Sequence, residues 1–253
     1  MTASGLLRMP RRVPRSLPGA AFHLRALNRL GCAIVAVGAT AATVTGCATT
    51  MVAGHEVPGE AARVATDLNA VLLTGTELDA ALGAAGMATD TTTSTLVDDT
   101  PYTTPTECLA VSSMGEEQVY AGTNWTSARI NSAHEPGDDY AHLAHQAVVQ
   151  FPSAADAESF YAASQRQWPS CAPGRYTYAV EGEPVTVWDV GPAAEKDRIL
   201  TVTITEHDSD SWACQRALTA AVNVVVDVLA CSAAPGDTAA TVARKIAEKV
   251  TGQ

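Results

Sequence analysis

The sequence lacks the short motifs of several common enzyme and metal-binding classes. It contains no Gly-x-Ser-x-Gly segment, which a serine hydrolase of the α/β type would need, and no glycine-rich loop for phosphate. None of its six cysteines forms a C-x-x-C pair, which disfavours a zinc site or a thioredoxin-type redox centre. We therefore expect a protein that is not an enzyme and that carries no metal and no cofactor.

Basic and aromatic residues are also few. Residues 1–46 hold six arginines and no acidic residue, so the rest of the chain carries 10 basic and 27 acidic side chains, a net charge of −17. This charge argues against nucleic acid as a partner and against adsorption to anionic lipid. With aromatic residues at only 5%, the core must be built mostly from small side chains.

The first 46 residues are predicted to be an export signal. Arginines precede an uncharged apolar segment at residues 31–46, which is shorter than the ~20 residues of a membrane span. The segment runs into Val-Thr-Gly-Cys at residues 44–47, which resembles the bacterial lipobox, in which the cysteine thiol receives a diacylglycerol group. The alternatives are an ordinary signal peptide with a chance cysteine, or an uncleaved anchor; translation could also start at Met9.

Lipidation of Cys47 would hold the protein on the extracytoplasmic face of the cell membrane. Two acyl chains bind stably, because each buried CH₂ contributes ~0.8 kcal/mol. Residues 47–59 would then be a lipidated tether, and residues 60–253 would form one domain, a length that suits a single core.

Hydrophobic spacing in residues 60–253 predicts an α+β domain, a single antiparallel sheet packed with helices. Capping boxes are expected at Thr74 with Glu77 and at Ser153 with Asp156. Helices are predicted at residues 60–73, 74–82, 153–168 and 237–250. Strands are predicted at residues 119–125, 128–132, 143–151, 176–180, 185–190 and 198–206. Residues 87–107 are predicted to be an irregular loop.

The segment from Trp212 to Cys231 is the most informative part of the chain. Its first half has good helix formers, and its second half, residues 222–229, is rich in β-branched residues. In one continuous helix Cys214 and Cys231 would lie ~25 Å apart at ~1.5 Å per residue, whereas a disulfide needs Cα atoms ~5.5–6 Å apart. If these cysteines pair, the chain must reverse near Asn223, which predicts a helix, a turn and a strand.

Four cysteines remain beyond Cys47, an even number that is typical of disulfides in an exported protein. They are Cys108, Cys171, Cys214 and Cys231, and three pairings are formally possible.

Three groups of residues resemble the signature of the PknH-like extracellular sensor domain family, named for the outer part of a mycobacterial serine/threonine protein kinase. They are residues 212–218 (Trp-x-Cys-Gln-Arg-Ala-Leu), residues 223–228 (Asn-Val-Val-x-Asp-Val) and Cys231. Residues 146–152 and 167–171 match as well. The likeness covers residues 60–250 and includes no kinase domain. The family also occurs as free-standing actinobacterial lipoproteins.

The resemblance implies an α+β domain with two disulfides, Cys108–Cys171 and Cys214–Cys231. It also implies a groove for an unidentified ligand.

Polar residues interrupt the apolar strand at Asn223 and Asp227. Asn223 is expected to make the turn, while Asp227 faces water or caps a neighbouring element. Alternatively, Asp227 lies beside Arg216 on the polar floor of a binding groove, where Trp212 and Trp125 could stack on a ligand. These five residues are the candidate ligand contacts.

Histidines at 142 and 145, with His134 nearby, suggest a metal site only weakly, because strand positions three apart point to opposite faces. Most acidic pairs fall in predicted turns, where carboxylates are usually solvated.

The sequence therefore predicts a lipid-anchored sensor or ligand-binding module of the cell envelope. It would capture an unidentified small molecule or envelope component in a groove. An interaction or scaffold protein that recruits another envelope protein is the alternative, and an envelope hydrolase is the weakest.

Replacing Cys47 tests the lipobox. Cys47→Ser removes the thiol that would form the thioether. The variant is therefore expected to lack the diacylglycerol mass and to leave the membrane fraction. Mass spectrometry of the N-terminal peptide and membrane fractionation measure both effects, with Cys32→Ser as the matched control. Unchanged lipidation of Cys47→Ser would contradict the assignment.

Overall fold

Ten strands and six α-helices build the part of the chain described by the computed structural model, which comprises residues 67–252 except 138, 210 and 211. The predicted export signal, Cys47, the tether and residues 60–66 of the first predicted helix lie outside the described residues. The strands are β1 Ala88–Thr93, β2 Thr103–Thr104, β3 Ser127–His134, β4 Leu143–Gln150, β5 Gly174–Tyr178, β6 Thr186–Val190, β7 Ala194–Lys196, β8 Ile199–Glu206, β9 Ala213–Ala221 and β10 Val224–Ser232. The helices are α1 Leu68–Val71, α2 Gly75–Leu82, α3 Leu109–Ser112, α4 Glu117–Tyr120, α5 Ala154–Gln167 and α6 Thr238–Thr251.

The strands form one antiparallel sheet in the order β1-β3-β4-β10-β9-β8-β6-β5-β2, with β7 paired to β8. Helices α1, α2 and α6 pack on one face, where Val242, Ile246 and Val250 of α6 are buried as their fourfold spacing predicts. Helices α3, α4 and α5 contribute to the core on the other face. The predicted fold, one α+β domain with an antiparallel sheet and two disulfides, is confirmed.

Residues 213–221 are a strand, so the predicted helix in the first half of the 212–231 segment is wrong. The chain does reverse at residues 222–223, and β9 and β10 form a hairpin with Cys214 opposite Cys231. Residues such as Ala217 and Leu218 favour a helix in isolation, but β9 has a strand on each side and a core on each face. Its ladder hydrogen bonds and burial outweigh the small helix preference of these residues.

Two other predictions fail because strand pairing in this fold is non-local. The predicted irregular loop at 87–107 contains β1 and β2, and β1 pairs with β3 about forty positions later in the chain. The strand predicted at 119–125 is not formed. Its first two residues end the short helix α4, and a turn and irregular chain lead from there to β3, which pairs with β4. Glu116 caps this helix by accepting a hydrogen bond from the N–H of Gln118 at 3.4 Å.

Of the two predicted capping boxes, the one at Thr74 forms, whereas at Ser153 the hydroxyl accepts from the N–H of Asp156 and donates to the Asp156 carboxylate, so only the N-cap is present. Thr74 and Glu77 make a complete capping box, and Lys249 of α6 donates to the Glu77 carboxylate at 2.8 Å. Burial acts to raise the pKa of Glu77, but the hydrogen bonds from Lys249 and Thr74 outweigh it and lower this pKa to about 2. This contact joins α2 to α6.

Both expected disulfides are present. Cys214 and Cys231 occupy directly opposed positions of β9 and β10, with Cα atoms 3.9 Å apart. Cys108 and Cys171 join the start of α3 to the segment after α5. Within the described ranges, no helix has the length and apolar character needed to cross a membrane.

Candidate functional site

Arg216 and Asp227 meet beneath the sheet, on the face covered by α3, α4 and α5. Arg216 Nε donates to Asp227 Oδ1 at 2.9 Å, and Arg216 Nη2 donates to Oδ2 at 2.8 Å. The two positions are diagonal neighbours on β9 and β10, so their side chains project from the same face. The sequence predicted this contact only as its alternative interpretation. The expectation that Asp227 faces water is wrong, because Asp227 is fully buried.

The pair is enclosed by protein, with Arg216 only 1% exposed and Asp227 fully buried. Arg216 Nη1 donates to the carbonyl of Ala110 at 3.0 Å, and the guanidinium lies 5.4 Å from the ring centre of Trp168. The N–H of Gly115 donates to Asp227 Oδ2 at 2.9 Å. Each charge thus has several protein partners, and this arrangement offers neither residue to a ligand.

Asn223 and Trp212 also have structural positions. Asn223 is buried, and its Nδ2 donates to the carbonyl of Phe151 at 2.8 Å, which fixes the turn between β9 and β10 to the end of β4. The positive φ of this turn falls on Val222, at 50°, rather than on Asn223. Trp212 is 9% exposed and its ring lies 6.4 Å from that of Tyr140.

An open groove of about 440 Å³ lies where β1 ends and β3 continues. The pairing of β1 with β3 stops at Thr93 and Ile130, so the first three residues of β3 extend beyond the neighbouring strand. The groove is lined by Asp67 and Leu68 at the start of α1, by Ser94 just after β1, and by residues 125–129.

Trp125 is the predicted ligand residue that lies in this groove. It is half-buried, with part of its ring against the core. Arg129, which the sequence reasoning missed, lies in the same groove, and its Nε is buried without a hydrogen-bond partner. One signal in the sequence could have indicated it, because no acidic residue lies within five positions of Arg129 in an otherwise acidic chain.

The structure thus separates the predicted ligand residues. Trp125 lines the groove, whereas Arg216, Asp227, Asn223 and Trp212 pack in the interior. Contact of any of the five with a ligand stays a prediction.

A second buried polar cluster contains two carboxylates. Glu116 is fully buried and accepts a hydrogen bond from the N–H of Asp99 at 2.9 Å, while Asp99 accepts from Ser113 Oγ at 2.6 Å and from Tyr178 Oη at 3.1 Å. Burial raises the pKa of Glu116 from 4.5 to about 7, although the hydrogen bond from Asp99 N–H acts to lower it. Burial also raises the pKa of Asp99.

His134 and His145 are diagonal neighbours on β3 and β4, whereas His142 lies just before β4. His142 Nδ1 lies 2.6 Å from Glu135 Oε1, and burial lowers the pKa of His145 to about 4, with His134 adding to the effect. Among the described residues, no group of three or more His, Cys, Asp or Glu side chains is arranged to hold a metal ion.

Comparison with known proteins assigns the family. Residues 64–249 match the PknH-like extracellular domain. The chain belongs to this family. It is 34% identical over 184 residues to the serine/threonine-protein kinase PknH of Mycobacterium bovis and to that of Mycobacterium tuberculosis, a match that covers 72% of this chain. The same match covers only 30% and 29% of those kinases, so the chain spans less than a third of their length.

The architecture of this PknH-like domain also resembles a solved structure. The crystal structure of the extracellular domain of PknH from Mycobacterium tuberculosis superimposes with a TM-score of 0.70 and 32% sequence identity. The likeness covers 74% of this chain and 95% of that one. The described fold is therefore that of the PknH extracellular domain.

Breaking the Arg216–Asp227 pair should destabilise the PknH-like domain strongly. Asp227→Asn leaves a buried guanidinium without its counter-charge, and we expect a loss of about 3–5 kcal/mol in the free energy of unfolding, measured by denaturant titration. The double variant with Arg216→Met should lose less than the sum of the two single variants, because the unpaired charge is then absent.

The exposed ion pair between Arg198 and Glu158 provides the matched control. Glu158→Gln is expected to change the stability by less than about 1 kcal/mol, since solvent screens this pair. Equal losses for Asp227→Asn and Glu158→Gln would show that the buried pair does not have the structural role assigned to it.

Glu116 should make the domain less stable as the pH rises. Its pKa is higher in the folded chain than in the unfolded chain, so the folded state holds the proton between about pH 4.5 and 7 and loses relative stability as that proton leaves. The side chain in Glu116→Gln cannot ionise. As the pH rises across this range, the free energy of unfolding of the variant should therefore increase relative to that of the wild type. Denaturant titrations from pH 4.5 to 7.5 measure it.

Glu117→Gln is the control, because it removes the neighbouring carboxylate of Glu117, which is exposed. If the wild type and Glu116→Gln keep a constant stability difference over this pH range, Glu116 is not the group that titrates.

Proposed function

We propose that this chain is a lipid-anchored, extracytoplasmic binding module that captures a small molecule or an envelope component in the groove beside Trp125. The observation that carries the proposal is the groove itself, where a half-buried tryptophan and a buried, unpartnered guanidinium nitrogen lie together. Ligand sites combine an apolar or aromatic wall with a few directed polar groups, and this groove has both. The role is non-enzymatic.

Membership of an extracellular domain family supports the location outside the cytoplasm. Lipidation of Cys47 would attach the domain to the membrane, and Asp67, at the mouth of the groove, lies twenty positions after Cys47. A fully extended chain of that length spans at most roughly 70 Å. The anchor would therefore keep the groove close to the membrane surface.

The surface of the described residues gives less support to the alternative, a scaffold that recruits an envelope protein. Val185 is the only large hydrophobic side chain among these residues that is strongly exposed, at 60%. Interfaces of stable complexes have a buried apolar centre, and a single exposed valine does not supply one.

Native mass spectrometry of the protein purified from its own envelope tests the capture of a ligand. We expect an additional, reproducible mass that disappears on denaturation and is lost in Trp125→Ala, because removing the ring removes one wall of the groove. Trp188→Ala is the matched control, since Trp188 lies on β6, away from the groove. A clean apo mass for the wild type, and again after incubation with an extract of its own envelope, would overturn the proposal.

A further inference from the structure

Arg129 differs from every other arginine among the described residues. Three of them have carboxylate partners, Arg175 with Asp189, Arg198 with Glu158 and Arg216 with Asp227. Arg166 and Arg244 are exposed to solvent. Only Arg129 is half-buried while no described residue forms a hydrogen bond or an ion pair with its guanidinium.

The missing partner is significant because a buried donor costs free energy. Leaving an N–H group without water or a protein acceptor costs about 1–3 kcal/mol, and more for a charged group. Acidic side chains outnumber basic ones 27 to 16 in the full sequence, yet none of the described carboxylates pairs with Arg129. The positive charge of Arg129, a residue that lines the groove, is therefore not neutralised by any described side chain.

Asp67 limits what that molecule can be. Its side chain lines the same groove, but Oδ1 accepts hydrogen bonds from the N–H and Nδ2 of Asn69, at 3.0 and 3.1 Å, and caps α1. A dense polyanion would be repelled by this carboxylate. A ligand with a single anionic group at the Arg129 end would be repelled much less.

Trp125 and Leu68 define the other part of the ligand. Both are apolar walls of the groove, and the planar indole can stack on an aromatic ring or cover an aliphatic chain. Arginine matches carboxylate and phosphate groups through two parallel N–H donors.

We propose that Arg129 binds the carboxylate or phosphate monoester group of an amphiphilic organic anion whose apolar part lies on Trp125. This inference rests on the proposed function, since it names the class of ligand for the same groove. The anion comes either from a lipid headgroup or from a free soluble molecule, and the chemistry at Arg129 is the same in both cases.

NMR titration of the full chain tests the charge requirement. The probes are phenyl phosphate and benzoate, compared with benzyl alcohol, a neutral molecule of similar size. We expect both anions to shift the indole N–H signal of Trp125, assigned through Trp125→Phe, and Arg129→Gln to weaken their binding at least tenfold. Arg129→Lys keeps the charge but loses the paired donors, so it should bind with intermediate affinity.

Arg166→Gln is the matched control, because it removes an exposed arginine from α5 and should leave the binding of all probes unchanged. The amide spectrum of each variant shows whether the fold is intact; if Arg129→Gln does not fold, Arg129→Lys carries the comparison.

The outcomes separate this inference from the proposed function. If benzyl alcohol binds as well as the anions, or if Arg129→Gln binds the anions with wild-type affinity, the inference is overturned while the groove remains a binding site. If native mass spectrometry finds a ligand that depends on Trp125 but neither the soluble anionic probes nor vesicles of an anionic lipid bind, the inference likewise fails and the proposed function stands.

Vesicles distinguish the two sources of the anion. Cosedimentation of unlipidated Cys47→Ser protein with vesicles that contain phosphatidic acid, a phosphate monoester, lost in Arg129→Gln and absent with phosphatidylcholine alone, would identify a lipid headgroup. Binding of the soluble probes without cosedimentation would identify a free molecule. Binding of neither the vesicles nor the soluble probes would overturn the inference.

Discussion

The structure depends on the buried ion pair between Arg216 and Asp227. Taking two charges out of water is unfavourable unless both are fully hydrogen-bonded, and here the partners come from separate parts of the chain. Ala110 supplies a carbonyl and Gly115 supplies an N–H, so the segment around α3 must dock on the central hairpin for the charges to be satisfied. Gly115 has φ of 60°, and a Cβ there would lie 2.9 Å from Ile130 Cδ1, which makes glycine the fitting residue.

The need to enclose the Arg216–Asp227 pair also limits where in the domain a ligand could be held. The central strands β10 and β9 have neighbours on both sides and helices on both faces, so their side chains are committed to packing. Open space occurs instead toward the edge of the sheet, where β1 stops at Thr93 and β3 starts at Ser127. A groove at an edge can accept a molecule without disturbing the buried charges, which separates binding from stability.

The sequence predicted the features that rest on local or short-range patterns. The capping box at Thr74 and the alternation of β8, with Leu200, Val202 and Ile204 buried, need only nearby residues. The helix predicted for the first half of the 212–231 segment failed, because the apolar, helix-forming residues there give no sign that strands lie on both sides. Arg129 was missed for a related reason. A lone arginine on a strand is usually solvated, and only the end of β1 at Thr93 shows that this one borders a groove.

Arg129 and Arg216 show how one residue type acquires two roles. Arg216 has a carboxylate, a backbone carbonyl and an aromatic face within the protein, so its donors are used in folding and its removal should affect stability first. Arg129 has none of these partners among the described residues, so the fold does not use its charge. In a chain with a large excess of carboxylates, an arginine left unpaired and half-buried at a groove is the arrangement expected of recognition. The two arginines can therefore be separated experimentally, one through unfolding and the other through binding.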